Sequence, residues 1–532
     1  MKQTFLHSTK NSLWMKNYQV LLLLVISVVI YCNITSCSVQ PVCGTGIPKN
    51  LMAPLGSETD STITLLWEKP DSCTATMNFE VYQNGSLVAT VNKTNYTATG
   101  LIPGKSYSFF VKTKAAEGKL SKPGNMLVKS TKQSGQIFNI LSFGAKGDGI
   151  TKNTKAIQEA IDACSPGGTV YIPSGTFLSG ALFLKSDMTL YIAEGGILKG
   201  SADTEDYYPM ILNRFEGWEL KTFASLLTAG KLDRSGGYNT TNLSIRGEGT
   251  ISGGGQVLGQ AMTDVEGERG RGRLICLMNC QNVNIQGLTI EESPCWTIHY
   301  IYSKNTTCHD LTINSAADNG DGIDPDSSIN SYIFNCTFST NDDCIAIKSG
   351  KNPEGYFIAK PTENVFISDC HFIEGHSLAV GSEMSGGVRN VVIRDCELGN
   401  LKHGVQIKVT KDRGGFVEDF KVRNCKLQKI TIKTNVGYNN DGEPAPKLPF
   451  LRNMEFSDLD MSLADTSMAV IIVDGYSGIS NYTESLLFKN IRLPENAKIV
   501  LNYCKDFSFI NTITTSSEKP VYIVTNAVNI RY

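Results

Sequence analysis

The sequence predicts an all-β protein in which a β-sandwich precedes a right-handed parallel β-helix. A Val- and Ile-rich phrase recurs along the chain, as in "SYIFNCTF", "NVFISDCHF", "NVVIRDCEL" and "DFKVRNCKL". Apolar and polar residues alternate within each copy, which is typical of a short strand with one buried face. No amphipathic helices separate the copies, and this excludes leucine-rich and doubly wound folds. At 532 residues the chain is also too long for one compact domain, which predicts two or three folded units.

Residues 1–37 have the pattern of an export signal. Lys10 and Lys16 precede the apolar run "VLLLLVISVV", which is too short to span a bilayer but long enough for a signal core. The run leads to "ITSC", which resembles a bacterial lipobox and implies cleavage before Cys37 with lipid attachment to its thiol. Cleavage near Ser36 without a lipid is the alternative. We therefore expect an exported protein, either a periplasmic or cell-surface lipoprotein attached to a membrane through its lipid, or a secreted protein.

A linker is expected over residues 38–48 and a β-sandwich over residues 49–133. The segments "STITLLWEKP" and "NFEVYQNGSLVATV" alternate like strands with turn residues between them, and Trp67 is expected in the core. The phrase "GLIPGKSYSFFV", with Tyr107 at the place of a tyrosine corner, resembles a fibronectin type III domain. The resemblance implies a spacing or positioning module. Carbohydrate binding is the alternative, although no exposed aromatic platform can be identified.

The β-helix is expected over residues 138–532. Aligning the repeated phrase places equivalent residues about one coil apart, at positions 288, 316, 336, 370, 396 and 425. The segment "TKNTKAIQEAIDACSPGG" predicts a short amphipathic helix that caps the first coil and covers its apolar end. The cysteines of the phrase are expected inside the coils as small hydrophobes, because no Cys-x-x-Cys or His-rich spacing indicates a metal site.

The net charge of the chain is nearly balanced, but acidic residues are concentrated in one part of the repeat. Lys and Arg (49) nearly balance Asp and Glu (51), so nothing in the net charge favours nucleic acid or an anionic membrane as a partner. Aspartates are nevertheless crowded in "NGDGIDPDSS" and "NDDCIAIKSG". Asp321 precedes Asp342 and Asp343 by about one coil, so stacking should bring all three together. Carboxylates that lie so near one another have pKa values that differ from each other, and acid–base catalysis requires such a difference.

A calcium-binding turn and a solvated acidic loop are the alternatives for these aspartates. An EF-hand loop needs acids at its first, third and fifth positions, and this spacing places Ser315 or Ala317 first. A solvated loop does not explain a second acidic cluster one coil later. Metal binding is therefore not expected here.

The motifs that follow the aspartates complete a recognisable series. "FGAKGDG", "NGDGIDPDS", "NDDCIAIKSG", "GHS" and "QIK" occur in this order, and over residues 138–532 the sequence resembles the polygalacturonases of glycoside hydrolase family 28. The resemblance implies a β-helical, inverting hydrolase that cleaves α-1,4 bonds of galacturonan or related pectins without a cofactor. Its partner would be a pectic polysaccharide or an oligogalacturonide.

The resemblance also implies roles for individual residues. Asp342 matches the general acid, and Asp321 and Asp343 match the pair that activates the attacking water. His376 matches the histidine that tunes the acid, and Lys408 the lysine that pairs with a galacturonate carboxylate. An inverting pair is expected to hold its carboxyl groups roughly 6.5 to 9.5 Å apart.

Two residues depart from the family pattern. Gln406 stands where the family usually has an arginine, and Ser377 stands where it usually has a glycine. Loss of the arginine weakens the grip on a uronate carboxylate. Either Lys411 or Arg413 supplies the missing charge, or the substrate is a rhamnogalacturonan or a substituted pectin.

The mode of action is expected to be exo. The stretch "GKNPEGYFIAKPTEN" lengthens the interval between the second acidic cluster and His376, and extra loops close clefts. Together with the fibronectin-like domain, this resembles the bacterial exo-acting branch of the family. A non-catalytic pectin-binding solenoid and a calcium-dependent lyase are the rival hypotheses.

Overall fold

A computed structural model describes residues 46–70, 77–434, 437, 441–478 and 482–532. The expected signal region 1–37, with Cys37, and most of the linker at 38–48 lie outside the described residues. Within the described ranges, no helix has both the length and the apolar character needed to cross a membrane.

The N-terminal unit is a sandwich of two antiparallel sheets. One contains Lys49–Met52, Ile63–Glu68 and Asn95–Ala98, and the other contains Asn78–Gln83, Ser86–Val91, Ser106–Lys114 and Leu127–Ser130. Trp67 is buried between the sheets and packs edge-on against Phe79 at 5.6 Å between ring centroids. The Tyr107 hydroxyl accepts a hydrogen bond from the backbone N–H of Ile102 at 2.8 Å, which is the tyrosine corner expected from the sequence.

The rest of the described chain is a parallel β-helix, so the predicted fold class is confirmed. Its narrower sheet has twelve strands: Leu182–Leu184, Leu227–Gly230, Ile275–Met278, Ile298–Ile301, Ile323–Asp326, Ile345–Ile347, Leu378–Val380, Val405–Lys408, Ile430–Lys433, Ile471–Asp474, Lys498–Asn502 and Val521–Thr525.

The remaining coil strands join into one sheet of twenty-four strands in the described part of the chain. They are Ile137–Asn139, Asp148–Lys152, Gly168–Ile172, Gly175–Ser179, Met188–Ile192, Gly196–Gly200, Thr240–Gly247, Thr250–Ser252, Cys280–Gln286, Thr289–Glu291, Lys304–His309, Thr312–Ser315, Ile329–Phe334, Thr337–Thr340, Thr362–Ser368, His371–Gly375, Val388–Arg394, Glu397–Leu401, Phe416–Arg423, Lys426–Leu427, Phe450–Asp460, Thr483–Leu493, Lys505–Thr514 and Val528–Arg531.

Elements outside the coils close the ends and edges. Helix Thr154–Ala163 buries Ile157, Ala160 and Ile161 against the first coil, as the amphipathic pattern predicts. An antiparallel hairpin pairs strand Ile211–Phe215 with strand Trp218–Thr222. The other short helical segments are Ile140–Phe143, Thr204–Tyr207, Gly255–Thr263 and Glu354–Ile358.

The coil register is set by the repeated phrase, with one correction. Thr289, Thr312 and Thr337 are successive Cα partners, so the residue equivalent to Cys336 in the preceding coil is Leu311 and not position 316. The segment "DLTINSA" lacks the cysteine that marks this position in later coils, and alternation alone allowed the wrong alignment. The interior position itself is as expected, because its four cysteines are all buried: Cys336, Cys370, Cys396 and Cys425.

A ladder of asparagines marks one corner of the coils. Each member has a left-handed backbone, and each side-chain amide after the first donates to the amide oxygen of the member one coil before it, at 2.6 to 3.0 Å. Asparagine tolerates this conformation better than other residues with a Cβ. The ladder runs through Asn242, Asn282, Asn305, Asn330, Asn364 and Asn390.

Candidate active site

The crowded aspartates come together in a cavity beside the twelve-stranded sheet. Ile323, Ile345 and Leu378 are successive Cα partners in that sheet. Asp321, Asp343 and His376 each precede one of these residues by two positions, so the register places them on adjacent coils. The cavity has a volume of about 330 Å³, and six of the residues singled out from the sequence line it: Asp321, Asp342, Asp343, His376, Gln406 and Lys408.

The three carboxylates are closer together than expected for an inverting pair. One oxygen from each of Asp321, Asp342 and Asp343 lies within 4.8 Å of the other two. The expected wide separation is therefore wrong for this site. The fold is the physical reason: Asp342 and Asp343 are consecutive residues, and Asp321 lies on the adjacent coil, where parallel strands are about 4.8 Å apart. At this separation a water molecule between two of the carboxylates can hydrogen-bond to both.

Asp342 is half-buried and faces His376. Its Oδ1 lies 2.9 Å from His376 Nδ1, and its Oδ2 accepts a weaker contact from Asn319 Nδ2 at 3.4 Å. Burial opposes ionisation of Asp342, but the positive charges of Lys408, His376 and Lys348 outweigh it and lower the pKa. Any loss of positive charge around Asp342 would favour its protonated form.

Asp321 lies in a different electrostatic setting. It is buried, and burial raises its pKa well above the usual value even though Lys348 Nζ lies 3.1 Å from its Oδ2. Asp324 is buried next to it, 3.5 Å from the same ammonium, and burial raises its pKa to about 7. Lys348 also contacts the Trp296 ring face at 4.4 Å, which holds the ammonium between the acids and the indole.

Asp343 is held by two side chains, and a third side chain contacts one of them. Lys408 Nζ lies 2.5 Å from its Oδ2, and Ser377 Oγ donates to its Oδ1. Ser377 Oγ also lies 3.1 Å from the side-chain amide of Gln406. Lys408, which the family resemblance assigned to a substrate carboxylate, therefore has a protein carboxylate as a partner.

Lys411 and Arg413 do not lie where they could replace the missing arginine. Neither lines the cavity, and Lys411 is exposed on the following loop. Arg413 is buried, and its guanidinium donates to the Ser382 carbonyl at 2.8 Å and to Asn352 Oδ1 at 2.7 Å. Neither residue is therefore placed to supply the cation at this site, because neither lines the cavity and the Arg413 guanidinium is directed to Ser382 and Asn352.

Besides Lys348, two further cations that were not predicted from the sequence line the cavity. Arg271 donates to the Asp318 carbonyl at 3.0 Å and to Asn319 Oδ1 at 2.6 Å, with Phe215 beneath its guanidinium. Lys402 is exposed on the opposite loop. In the described part of the chain, neither makes an ion pair with a carboxylate. No local motif marked them, because both come from connections whose folding brings them to the cavity.

A wall of loops closes one side of the cavity. Phe215 and Glu216, at the turn of the hairpin, line the cavity, and the hairpin packs against the loop that carries helix Glu354–Ile358. Trp218 Nε1 donates to the Asn352 carbonyl at 3.0 Å. Further bonds join these loops: Lys351 N to the Gly217 carbonyl at 2.9 Å, Glu219 N to Glu354 Oε2 at 2.9 Å, and Asn352 Nδ2 to the Gly442 carbonyl at 3.2 Å.

Buried charges anchor the hairpin to the coils. Arg214 donates to Asp326 at 2.6 Å and to the Tyr302 hydroxyl at 2.6 Å, and its guanidinium is buried. The Tyr302 hydroxyl donates in turn to Glu219 at 2.5 Å. Removing one member would leave an uncompensated buried charge, so the wall is a fixed part of the structure.

Three family models match the chain. The model of glycosyl hydrolases family 28 matches residues 213–473, and the fibronectin type III domain matches residues 47–127. A model named rhamnogalacturonase A/epimerase, pectate lyase-like, matches residues 137–202.

Similar proteins cover most of the chain. An exo-poly-alpha-D-galacturonosidase of Dickeya chrysanthemi is 27% identical, over 88% of this chain and 90% of its own length. A probable polygalacturonase of Vitis vinifera is 32% identical, over 67% of this chain and 76% of its own. Among solved structures, an exopolygalacturonase from Thermotoga maritima is 28% identical with a TM-score of 0.54, covering 74% of this chain and 92% of that one. A Yersinia enterocolitica family 28 exopolygalacturonase, 24% identical with a TM-score of 0.81, shares the fold over 91% of this chain and 99% of its own.

Proposed function

The chain belongs to family 28 of the glycosyl hydrolases, and from this we propose that it is an exo-acting polygalacturonase that hydrolyses α-1,4-galacturonosidic bonds near one end of a pectic chain. The observation that carries this proposal is the three-carboxylate cavity with a wall on one side. The wall is bonded through the backbone, as in Lys351 N to the Gly217 carbonyl, and in this proposal it stops an internal stretch of polymer from passing through the cavity. The Dickeya relative, whose name describes exo action, matches across both structural units.

The charge around the cavity supports an anionic sugar as the substrate. Arg271 and Lys402 line the cavity without a carboxylate partner in the described part of the chain, so each is placed to meet a uronate carboxylate. Arg271 is also held in place by two hydrogen bonds to neutral oxygens, which reduces the entropy lost on binding. These two residues compensate for the glutamine at position 406.

In the proposed mechanism, Asp342 protonates the glycosidic oxygen while a water molecule attacks the anomeric carbon. The water hydrogen-bonds to Asp321 and Asp343, and its proton passes to this pair as the new C–O bond forms. Because burial raises the pKa of Asp321, that carboxylate binds the proton more strongly once ionised. We propose inversion from the family assignment, because attack by water opposite the leaving group inverts the anomeric configuration; the short separation of the carboxylates does not by itself indicate it.

An anionic substrate would also prepare the general acid. The pKa of Asp342 is low because Lys408, His376 and Lys348 outweigh its burial. A uronate carboxylate bound near these cations would offset their charge and favour the protonated form of Asp342. Asp342 is then protonated when the substrate binds, and a neutral sugar would not have this effect.

The substrate is a polymer too large to enter a cell, which accords with export through the predicted signal at residues 1–37. We propose that lipid attachment at Cys37 holds the enzyme at a bacterial surface or in the periplasm. The fibronectin-like unit, proposed to span residues 49–133, would then separate the catalytic unit, residues 138–532, from the membrane.

The decisive experiment is a time course of products from polygalacturonate, with Asp342→Asn as the matched control. An exo enzyme releases short products from the first minutes while viscosity falls slowly, and the variant releases almost none. Early appearance of mixed long oligomers would contradict exo action. Activity on rhamnogalacturonan fragments and not on polygalacturonate would show that the substrate is a rhamnogalacturonan.

The same samples separate the rival classes. Equal product from wild type and Asp342→Asn, or none from either, would indicate a binding solenoid. Unsaturated products, or loss of activity with a calcium chelator, would indicate a lyase. We expect saturated products and no effect of the chelator, because Lys348 and Lys408 already provide the positive charge between the carboxylates.

A further inference from the structure

The two residues that depart from the family pattern contact each other beneath Asp343. Ser377 Oγ donates to Asp343 Oδ1 and lies 3.1 Å from the side-chain amide of Gln406. Ser377 is completely buried, and Gln406 is 2% exposed. Neither departure was explained by the reaction itself, and their contact indicates that they act as a pair.

The number of protons fixes how the pair is connected. A hydroxyl has one proton, and the Asp343 carboxylate is a stronger acceptor than an amide oxygen. Ser377 therefore donates to Asp343 and must accept from Gln406. The atom 3.1 Å from Ser377 Oγ is Gln406 Oε1, and we assign that end of the amide as Nε2 instead, since the two ends of an amide have nearly the same shape.

We propose that Gln406 is a positioning residue that acts through Ser377 to hold Asp343 in the orientation for water activation. In this arrangement the glutamine fixes the hydroxyl rotor, and the hydroxyl fixes one carboxylate oxygen. Lys408 holds the other oxygen of Asp343 at 2.5 Å. The inference rests on the proposed function, in which Asp343 shares activation of the water.

The same geometry explains why both positions differ together. An arginine at position 406 carries a charged fork of donors, so it would compete with Ser377 for the Asp343 carboxylate and would not simply donate to the hydroxyl. It would also place a second cation near Lys408, two residues along the same strand face. With glycine at position 377 an arginine could reach the carboxylate directly. Positions 377 and 406 therefore have two compatible combinations, which are serine with glutamine, as in this chain, and glycine with arginine.

A double-mutant cycle tests the connection. Wild type, Ser377→Ala, Gln406→Leu and the double variant are compared for kcat and KM on oligogalacturonides. A hydrogen bond to a charged group predicts a fall in kcat of about 10- to 100-fold for each single variant, with KM changed less than about 2-fold. The double variant should be no worse than Ser377→Ala alone, because the two residues act in series.

A second set of variants guards against misfolding and tests the alternative pairing. Ser377→Gly and Gln406→Arg should each lower kcat, and combining them should restore activity above either single variant. Thermal unfolding of every variant separates loss of fold from loss of positioning.

Two results would overturn the proposal. A rise in KM with kcat unchanged in Gln406→Leu would make Gln406 a substrate-binding residue. Losses that multiply in both cycles would show that the residues act independently. Failure of the proposed function is seen separately, as inactivity of wild type on galacturonides, and the cycle is then measured on the rhamnogalacturonan fragments that it cleaves.

Discussion

Asp321, Asp342 and Asp343 share one cavity but have different surroundings, and this difference supports the different roles proposed for them. Asp342 is half-buried beside His376, Asp321 is buried beside Lys348, and Asp343 is fixed by Ser377 and Lys408. Groups whose surroundings separate their pKa values can act as acid and base at the same pH.

Replacement of each aspartate by asparagine should remove one proton-transfer role and preserve the fold. We expect Asp321→Asn, Asp342→Asn and Asp343→Asn each to cost about 3 to 5 kcal/mol in transition-state stabilisation, measured as kcat/KM. Thermal unfolding controls for the fold. Near-wild-type turnover in any of the three would show that its role is wrongly assigned.

Asp324 gives a test of the same electrostatics through stability. Burial raises its pKa to about 7 from the ordinary 3.8, so folding favours its protonated form. Its contribution to stability is therefore fully present below about pH 4 and is lost as the pH rises through 7. Asp324→Asn stays neutral, so its unfolding free energy relative to wild type should increase between pH 4 and pH 8. Chemical denaturation at several pH values measures this, and parallel curves for the two proteins would contradict it.

The cysteine ladder is an element that sequence reasoning placed in the interior. Cys370 and Cys396 are 2% exposed, and burial raises the pKa of both thiols. Replacing either with alanine removes a small buried group and should cost about 1 to 2 kcal/mol of unfolding free energy without affecting kcat. Thiol labelling is a direct check, with denatured protein as the control. Rapid labelling of the native protein at either position would contradict the assignment.

The wall was only partly predictable at the scale of elements. An interval longer than one coil indicates an extra loop, and the stretch before His376 is such an interval. Its partner, the hairpin Ile211–Phe215 and Trp218–Thr222, carries no repeat signal. The contact between them joins residues more than 130 positions apart, as in Trp218 with Asn352, and such contacts leave no periodic trace in one sequence.

Loosening the wall should change the products and not the chemistry. Trp218→Ala removes the indole that donates to Asn352 and lies beneath the cations of Lys351 and Arg269. We expect longer oligomers among the early products of polygalacturonate. Trp218→Phe, which keeps a ring, is the control. Unchanged short products from Trp218→Ala would show that this contact does not close the cavity.

The coil register illustrates what a repeat can and cannot determine in the whole molecule. Apolar alternation and repeated cysteines located the strands, and the one-coil spacing correctly brought Asp321 close to Asp342 and Asp343. Ser377 with Gln406, Arg271 and the direction of Arg413 could not be predicted, because they depend on side-chain packing between coils and on loop paths. The wrong separation expected for the carboxylates has the same origin, since the strand spacing and not the reaction class sets it.

The two structural units are joined by polar contacts centred on a few side chains of the β-helix. Asp369 Oδ2 accepts hydrogen bonds from Thr94 N at 3.2 Å, Thr94 Oγ1 at 2.7 Å and Asn95 Nδ2 at 3.0 Å. Lys69 of the sandwich lies 2.6 Å from Asp395, and Arg394 donates to the Trp67 carbonyl at 2.7 Å. Together they orient the sandwich along the side of the coils.

Asp369→Ala should therefore uncouple the two units. The matched control is Asp458→Ala, because Asp458 has the same left-handed backbone at the equivalent corner of a later coil and accepts from Asn490 instead. Both variants carry the same backbone cost, and the control also loses the hydrogen bond from Asn490, so the difference between them is a lower bound for the contacts with the sandwich. We expect Asp369→Ala to lose about 1 to 3 kcal/mol more than the control. In calorimetry the sandwich should then unfold in a separate, lower transition while kcat stays unchanged. A single transition at the temperature of the control would show that these hydrogen bonds do not couple the units.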